Sequence, residues 1–258
     1  MPCQGDATNV GPVSTPAEVP AIVVHYQRLQ KKCAEILEQT FQVPENVGLQ
    51  ARSQQLLVEL EGWAAAVTAG PEALLLAAVG KELQYALLAV AQGQYREAFK
   101  GLRLVIELTL QIIHLSANRL DLEEWLGGRR DTVWNHLVDD ENGVLSVRYA
   151  RAFFPDLEDS VPHYRGLAKA LYRECSECVH GNVPQHISVP DVLEFNQASF
   201  TLWHSKADVA ALVLNFALAV RYCRELGRNS LSTVEVALLD RLGHVSAIRQ
   251  FFGSAGGE

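Results

Sequence analysis

Arg173 and His180 are the two residues of this chain best suited, by type and spacing, to act on a phosphodiester. The hydrophobic pattern predicts a helix over about residues 161–180, where seven residues make two turns, about 10.5 Å, on one face. A guanidinium can hold two phosphate oxygens in a fork, and an imidazole can exchange protons near neutral pH. Arg165 and Lys169 are predicted on the same face, where they would steer a nucleic-acid backbone.

The spacing of this pair is a weak signal by itself. Arg129 and Arg130 precede His136 in the same pattern, and about one or two such matches are expected by chance at this composition. A plain solvated helix face is therefore an open alternative, and further support must come from a second element.

A second predicted helix, at about residues 94–118, supplies such an element. Its polar face spans about 60° opposite an apolar stripe and carries Arg96, Lys100, Arg103, Glu107 and His114. One interpretation is that Arg103 and Glu107 only support the helix as an i,i+4 pair. The other is that this face meets Arg173 and His180 across a groove, with Glu107 orienting a basic group.

Residues 172–182, which place Arg173 and His180 near a helix end, resemble the signature of HEPN-type domains. In that family an Arg, four to six residues and a His lie at the end of a helix in a small antiparallel bundle. The upstream helix with Arg103 and Glu107 is similar to the partner helix of the family, where many members carry an acidic residue. The resemblance covers residues 94–182, about a third of the chain.

The resemblance implies a metal-independent endoribonuclease of the toxin–antitoxin or phage-defence type, acting on RNA as a homodimer. Its catalytic residues would be Arg173, His180 and Glu107, and its substrate-binding residues would be Arg103, Lys169, Arg165 and Asn182. A ribose 2′-hydroxyl would attack the adjacent phosphorus and give a 2′,3′-cyclic phosphate, with no cofactor and no metal. An antitoxin or another protein would be a partner beside RNA.

Glu174 departs from this family pattern, since many active members carry a small polar residue directly after the Arg. A carboxylate there would repel a phosphate, and the negative charge of the whole chain acts in the same direction. The second hypothesis is therefore a catalytically inactive helical module that binds a partner protein or a nucleotide through the same groove. Substitution of Arg173 and His180 separates the two hypotheses.

Four residues near the motif could in principle bind zinc: Cys175, Cys178, His180 and His186. Both cysteines, however, fall on the apolar face of the predicted helix, and His180 falls on the other face. One ion could not collect all of these ligands while the helix continues. We therefore expect buried thiols and no metal.

Helical periodicity dominates the chain, and the predicted fold class is all-α. Long helices are predicted at about 15–43, 53–67, 71–91, 94–118, 161–180, 207–226 and 232–252, with shorter pieces at 121–126, 131–138 and 147–153. Residues 187–189 and 200–203 could form short strands. Trp125 and Trp134 are expected to pack in the core or in an interface rather than to stack on bases.

These elements predict a helical bundle with a HEPN-like antiparallel core at residues 94–182. Residues 1–14 are expected to form a flexible tail, and residues 15–93 to form N-terminal helices packed on the core. Residues 183–258 are expected to form C-terminal helices that complete the bundle.

The composition limits the class of protein. The 258 residues are 48% hydrophobic with a net charge of −8, which excludes a disordered chain and a surface that is basic throughout. The most membrane-like run, Val209 to Val220, is shorter than the about 20 residues that a spanning helix needs, and no secretory signal is visible. The chain is therefore predicted to be cytoplasmic, with no membrane contact.

Overall fold

A computed structural model describes residues 19–67, 70–131, 133–180 and 192–255, apart from the side chains at positions 180, 254 and 255. The described residues form eleven α-helices and no strand, so the all-α prediction is confirmed. The helices are α1 (Ala21–Gln42), α2 (Pro44–Ala66), α3 (Glu72–Ala91), α4 (Tyr95–Ala117), α5 (Arg119–Leu126), α6 (Trp134–Leu137), α7 (Val147–Phe153), α8 (Val161–His180), α9 (Gln197–Tyr222), α10 (Arg228–Leu242) and α11 (Ser246–Ala255), with a 3-10 helix at Pro155–Ser160.

Helix α9 lies at the centre of the bundle and packs against α2, α4, α8 and α10. It is buried on nearly every side, as its apolar sequence predicts. The largest buried side chains on it are Phe200, Trp203 and Phe216, and Phe216 stacks on Tyr164 of α8 with ring centroids 3.8 Å apart. This contact fixes α8 against the core, so the opposite face of α8 is left for solvent.

Helix α4 is fixed against α3 by a close approach at Gly101. A Cβ atom built at Gly101 would lie 2.7 Å from the Cβ of Ala86, so any larger residue would force the two helices apart. The apolar stripe of α4, including Leu102, Val105 and Ile106, is fully buried. Because this stripe faces the core, the charged face of α4 turns toward α8 and the surface.

A buried polar network ties α2, α9 and α10 together. Arg241 Nε donates to Glu59 Oε1 at 2.9 Å, and Asn215 Nδ2 donates to Glu59 Oε2 at 2.6 Å. Trp63 Nε1 in turn donates to Asn215 Oδ1 at 2.9 Å. Burial raises the pKa of Glu59, while the Arg241 guanidinium opposes that rise. Each member of the network therefore depends on the others for its partner.

The structure corrects three predicted boundaries. Helix α2 begins at Pro44 rather than near Ser53, because proline is well suited to the first position of a helix. Residues 200–203 lie inside α9 and not in a strand, since Asn196 caps that helix by accepting from the Ser199 amide. The single helix predicted at 232–252 is two, α10 and α11, with a break at Gly243. The strand predicted at 187–189 and the tail at 1–14 lie outside the described residues.

Helix α1 begins at Ala21, and only Ile36 and Thr40 of it are buried. Several large apolar side chains at and just before its first turns are exposed: Val19, Ile22, Val23, Tyr26 and Leu29. The helix contacts α2 and α3, and its two buried residues lie in its second half. The first residues of the helix predicted at 15–43, up to position 18, lie outside the described part of the chain.

One described helix, α3, is long and apolar enough to span a membrane by length and composition alone. The run expected to be most membrane-like, Val209 to Val220, lies instead in the buried α9. Core helices commonly meet the same criterion, and α3 packs between α2 and α4.

Candidate functional site

The charged face of α4 meets α8 through Tyr172. Arg103 Nη2 donates a short hydrogen bond to the Tyr172 hydroxyl. That hydroxyl donates to Glu107 Oε2 at 3.3 Å, and Arg103 Nη2 lies 4.0 Å from the same carboxylate oxygen. The Arg103–Glu107 pair therefore does more than support its own helix, since it contacts the helix that carries Arg173.

Aromatic and cationic contacts hold the Tyr172 ring in place. Trp134 of α6 stacks on it with ring centroids 3.7 Å apart and planes 6° apart. The Arg103 guanidinium carbon lies 4.5 Å from the centroid of the same ring, within the range of a cation–π contact. We call Arg103, Glu107, Trp134 and Tyr172 the α4–α8 cluster.

Tyr172 keeps its proton at neutral pH. Burial raises the pKa of Tyr172 above its ordinary value, and the Glu107 carboxylate adds to that rise, although the hydrogen bond from Arg103 opposes it. The hydroxyl can therefore donate to Glu107 while it accepts from Arg103.

Arg173, one residue further along α8, points to solvent. Its side chain is 73% exposed, and its Nε lies 3.8 Å from Glu177 Oε1 on the same helix. It does not contact Glu107 directly. Glu174 Oε2, the carboxylate that departs from the family pattern, lies 2.5 Å from Lys206 Nζ of α9. An ion pair thus compensates the charge expected to repel a phosphate.

His180 is the last residue of α8, and its side chain is not among those described. Eight residues separate it from Tyr172, which corresponds to about 12 Å along the helix axis. Asn182 lies outside the described residues.

The two other predicted substrate-binding residues of α8 contact the segment before α7. Arg165 Nη1 donates to the carbonyl oxygens of Asp140 at 3.3 Å and Leu145 at 3.4 Å. Lys169 Nζ lies 3.6 Å from Asp140 Oδ1, and both partners are largely exposed. An exposed ion pair of this kind exchanges readily with solvent or with another anion.

The cysteines of α8 lie in the core. Cys175 and Cys178 are both buried, as the helical wheel predicts. Burial raises the pKa of Cys175 to about 12 and that of Cys178 to about 11. Thiols of this kind are poor nucleophiles and poor metal ligands. Among the described residues, no group of three or more His, Cys, Asp or Glu side chains is placed to hold a metal ion.

Sequence reasoning did not identify two members of the α4–α8 cluster, Tyr172 and Trp134, as site residues. Tyr172 lies beside Arg173 in the motif, and a polar aromatic residue at the edge of an apolar stripe is a usable signal. Trp134 gives no such signal, because it belongs to a four-residue helix that only the tertiary structure places on Tyr172.

Tyr172→Phe is expected to lower the free energy of unfolding by about 1 kcal/mol, because Arg103 and Glu107 lose a hydrogen-bonding partner while the stacked ring stays. Urea unfolding measures this change. Tyr85→Phe is the matched control, since Tyr85 is exposed on α3. Equal stability of wild type and Tyr172→Phe would mean that the hydroxyl does not join α4 to α8.

No protein-family model, no curated protein and no solved structure matches this chain. Its function must therefore be inferred from its own geometry.

Proposed function

We propose that this protein is a metal-independent endoribonuclease of the HEPN type that cleaves RNA by attack of the ribose 2′-hydroxyl. The observation that carries the proposal is the direct contact of Arg103 and Glu107 on α4 with Tyr172 on α8. This contact lies one residue from Arg173 and on the helix that ends at His180. This contact between the two helices supports the HEPN-like interpretation.

In this proposal the α4–α8 cluster positions α8, and Arg173 and His180 act on the substrate. The exposed Arg173 guanidinium binds the non-bridging oxygens of one phosphate and stabilises the charge that develops on them. His180 takes the proton from the 2′-hydroxyl or returns one to the leaving 5′-oxygen. Glu107 accepts a hydrogen bond from Tyr172 and so fixes the position of α8 relative to α4.

A local row of cations on α8 supports RNA as the substrate class. Arg165, Lys169 and Arg173 occur at i, i+4 and i+8, so they follow one face of the helix. This row lies on a protein with a net charge of −8, so binding is expected to be local and sensitive to salt. DNA would not react by this route, because it lacks the 2′-hydroxyl.

The same proposal includes a homodimer with two motifs in one cleft, a cytoplasmic role as a toxin or in phage defence, and a partner such as an antitoxin that restrains cleavage. The resemblance of residues 172–182 to the HEPN signature is the ground for these parts.

One observation favours a second candidate, a catalytically inactive module that binds a protein or a nucleotide through the same face. Arg173 does not contact Glu107, and the carboxylate of Glu177 lies close to its guanidinium. A phosphate would have to compete with that carboxylate for Arg173.

Incubation of the purified protein with labelled single-stranded RNA and with DNA of the same sequence, each with and without EDTA, separates the two candidates. The enzyme cleaves RNA at an equal rate in EDTA and leaves DNA intact. Binding of RNA without cleavage would support the inactive module instead.

A further inference from the structure

The outward side of helix α3 is apolar and exposed. Only 39% of the most apolar 18-residue stretch of this helix is buried. Leu74, Tyr85 and Leu88 on its outward side are 78%, 66% and 51% exposed. A helix that is apolar all round is normally buried on all sides, and a continuous apolar patch on a protein surface commonly marks a contact with another molecule.

The exposed residues of α3 recur at the spacing of a helix–helix contact. They follow one another at intervals of three or four residues and fall within an arc of about 100°. Side chains in such a row form a ridge that packs into the groove of another helix. We call the following six residues the α3 face: Leu74, Ala77, Ala78, Lys81, Tyr85 and Leu88.

The α3 face is complementary in shape to a second copy of itself. In an antiparallel pair of α3 helices that places Leu74 opposite Leu88 of the second copy, a two-fold axis passes at Lys81. Tyr85 then lies opposite the small Ala77 of the second copy, and the symmetry repeats both contacts at the other end. A large side chain opposite a small one allows two helices to approach closely.

The charges of α3 cancel around the same axis. Lys81 lies at the axis and Glu82 follows it, so the pair of helices brings two lysines and two glutamates together. Neither Lys81 nor Glu82 forms an ion pair with a described residue of its own chain. The whole chain has a net charge of −8, so contacts between other faces of two copies bring together mostly like charges. Charge thus favours a second copy at the α3 face.

The area of this side of the molecule is close to what a dimer uses. Helix α3 has 20 residues and is therefore about 30 Å long. Helix α4 lies beside it, and Tyr85 and Leu104 line the groove between the two helices. Two adjacent helices present a surface about 20 Å wide, which gives about 600 Å² per copy. Each partner in a standard interface buries about 800 Å².

We propose that this protein forms a two-fold dimer through antiparallel contact of α3 with α3 of a second copy. The proposal does not rest on the proposed endoribonuclease function. Helix α8 packs against α4 and α9, so the α3 contact does not involve the helix that carries Arg173. A dimer that shares a cleft at α8 would use a different face.

Sedimentation velocity of the full chain, from low to high micromolar concentration, tests the dimer. Wild type is expected to reach the mass of a dimer. Leu74→Glu and Tyr85→Glu each place two carboxylates in the apolar contact, so each is expected to raise the dissociation constant of the dimer at least about tenfold. Val236→Glu is the matched control, because Val236 is an exposed apolar residue of α10. It is expected to dimerise like wild type.

A charge exchange tests the position of the axis. Lys81→Glu gathers four carboxylates there, so it is expected to raise the dissociation constant at least about tenfold. Lys81→Glu combined with Glu82→Lys restores two charges of each sign and is expected to recover most of the loss. A double variant as weak as the single variant would overturn this pairing of the helices.

Cross-linking tests the antiparallel register. The double variant Leu74→Cys/Leu88→Cys is expected to form disulfides between copies on mild oxidation. Each single variant is expected to form none at this contact, because its two new cysteines lie about 21 Å apart along the helix axis, beyond the reach of a disulfide. Disulfides in either single variant, above the level of wild type, would contradict the register.

Three results would overturn the α3 dimer. The first is a wild type that stays monomeric at every concentration. The second is a dimer that neither Leu74→Glu nor Tyr85→Glu weakens, since such a dimer would use another face. The third is a monomer that sediments with phosphatidylcholine vesicles and loses this binding in Leu74→Glu, which would assign the α3 face to lipid. None of these results depends on whether the protein cleaves RNA.

Discussion

His180→Ala is expected to reduce the rate of RNA cleavage by about 10²–10⁴-fold, the loss that follows when a group that transfers protons in the transition state is removed. Arg173→Ala is expected to cause a loss of similar size, because the developing phosphorane charge loses its guanidinium partner. Arg173→Lys is expected to recover only part of the rate, since an ammonium cannot form the bidentate hydrogen bonds that a guanidinium forms with a phosphate. Single-turnover cleavage of a labelled RNA measures each rate.

Two controls separate a catalytic role from a general loss of charge on the surface. His163→Ala removes an exposed histidine from the start of α8. Arg151→Ala removes an arginine on α7 that is 67% exposed and pairs with Glu158. Both control variants should cleave at the wild-type rate. Full activity in His180→Ala and Arg173→Ala, from a preparation free of contaminating nuclease, would contradict the enzyme hypothesis.

Arg241→Ala is expected to lower the free energy of unfolding by about 3–5 kcal/mol at neutral pH, the usual effect of removing one partner from a buried ion pair. The Glu59 side chain is 1% exposed and that of Arg241 is 12% exposed, so water cannot replace the guanidinium. Asn215 would then be the main partner of a buried carboxylate. Urea unfolding at several pH values measures the loss.

The loss in Arg241→Ala should shrink as the pH falls. Burial raises the pKa of Glu59 in the folded state and Arg241 lowers it, so the variant raises that pKa further. A carboxyl whose folded pKa lies above its unfolded value binds more protons in the folded state, so stability decreases as pH rises through this range. Protonation of Glu59 at low pH therefore removes the unpaired buried charge and reduces the stability loss of the variant.

Arg224→Ala is the matched control for this experiment. Arg224 pairs with Asp156 at 2.5 Å, but both side chains are substantially exposed. Its removal should cost less than about 1 kcal/mol. Equal losses in Arg224→Ala and Arg241→Ala, or a loss in Arg241→Ala that grows at low pH, would contradict the account of the buried network.

The sequence was most informative where a helix is strongly amphipathic. The helical periodicity of the sequence in α4 and α8 places Leu102, Val105 and Cys175 in the core and Arg103 and Arg173 outside it, and the structure agrees. Periodicity is a reliable guide in these helices because one face is buried and the other is exposed to solvent over five turns or more.

Local sequence failed where tertiary packing decides the structure. Phe200 to Trp203 has the composition of a strand, yet it is helical because it belongs to a helix buried on nearly every side. Apolar residues recur at helical spacing in α1, as in a buried helix, yet Ile22, Val23, Tyr26 and Leu29 in its first half are exposed. Neither outcome can be derived from periodicity, which shows that a face is apolar but not what covers it.

The candidate site was predictable only in part. One of two interpretations of the sequence was that the face of Arg103 and Glu107 meets Arg173 and His180 across a groove. The structure brings Arg103 and Glu107 to Tyr172 on the same helix, while Arg173 points to solvent. The pattern could not show that Trp134 stacks there, or that Arg130 and His136 line one pocket with His114. These contacts depend on how short helices return to the surface of α4, which no local propensity encodes.

The chemistry at the cleaved linkage is tested most directly by the end groups of the products. Mass spectrometry of a short RNA, cut by the purified protein in the presence of EDTA, reads both new ends. Attack by the ribose 2′-hydroxyl predicts a 2′,3′-cyclic phosphate on one fragment and a 5′-hydroxyl on the other. Fragments with a 3′-hydroxyl and a 5′-phosphate, or an RNA that stays intact, would contradict it.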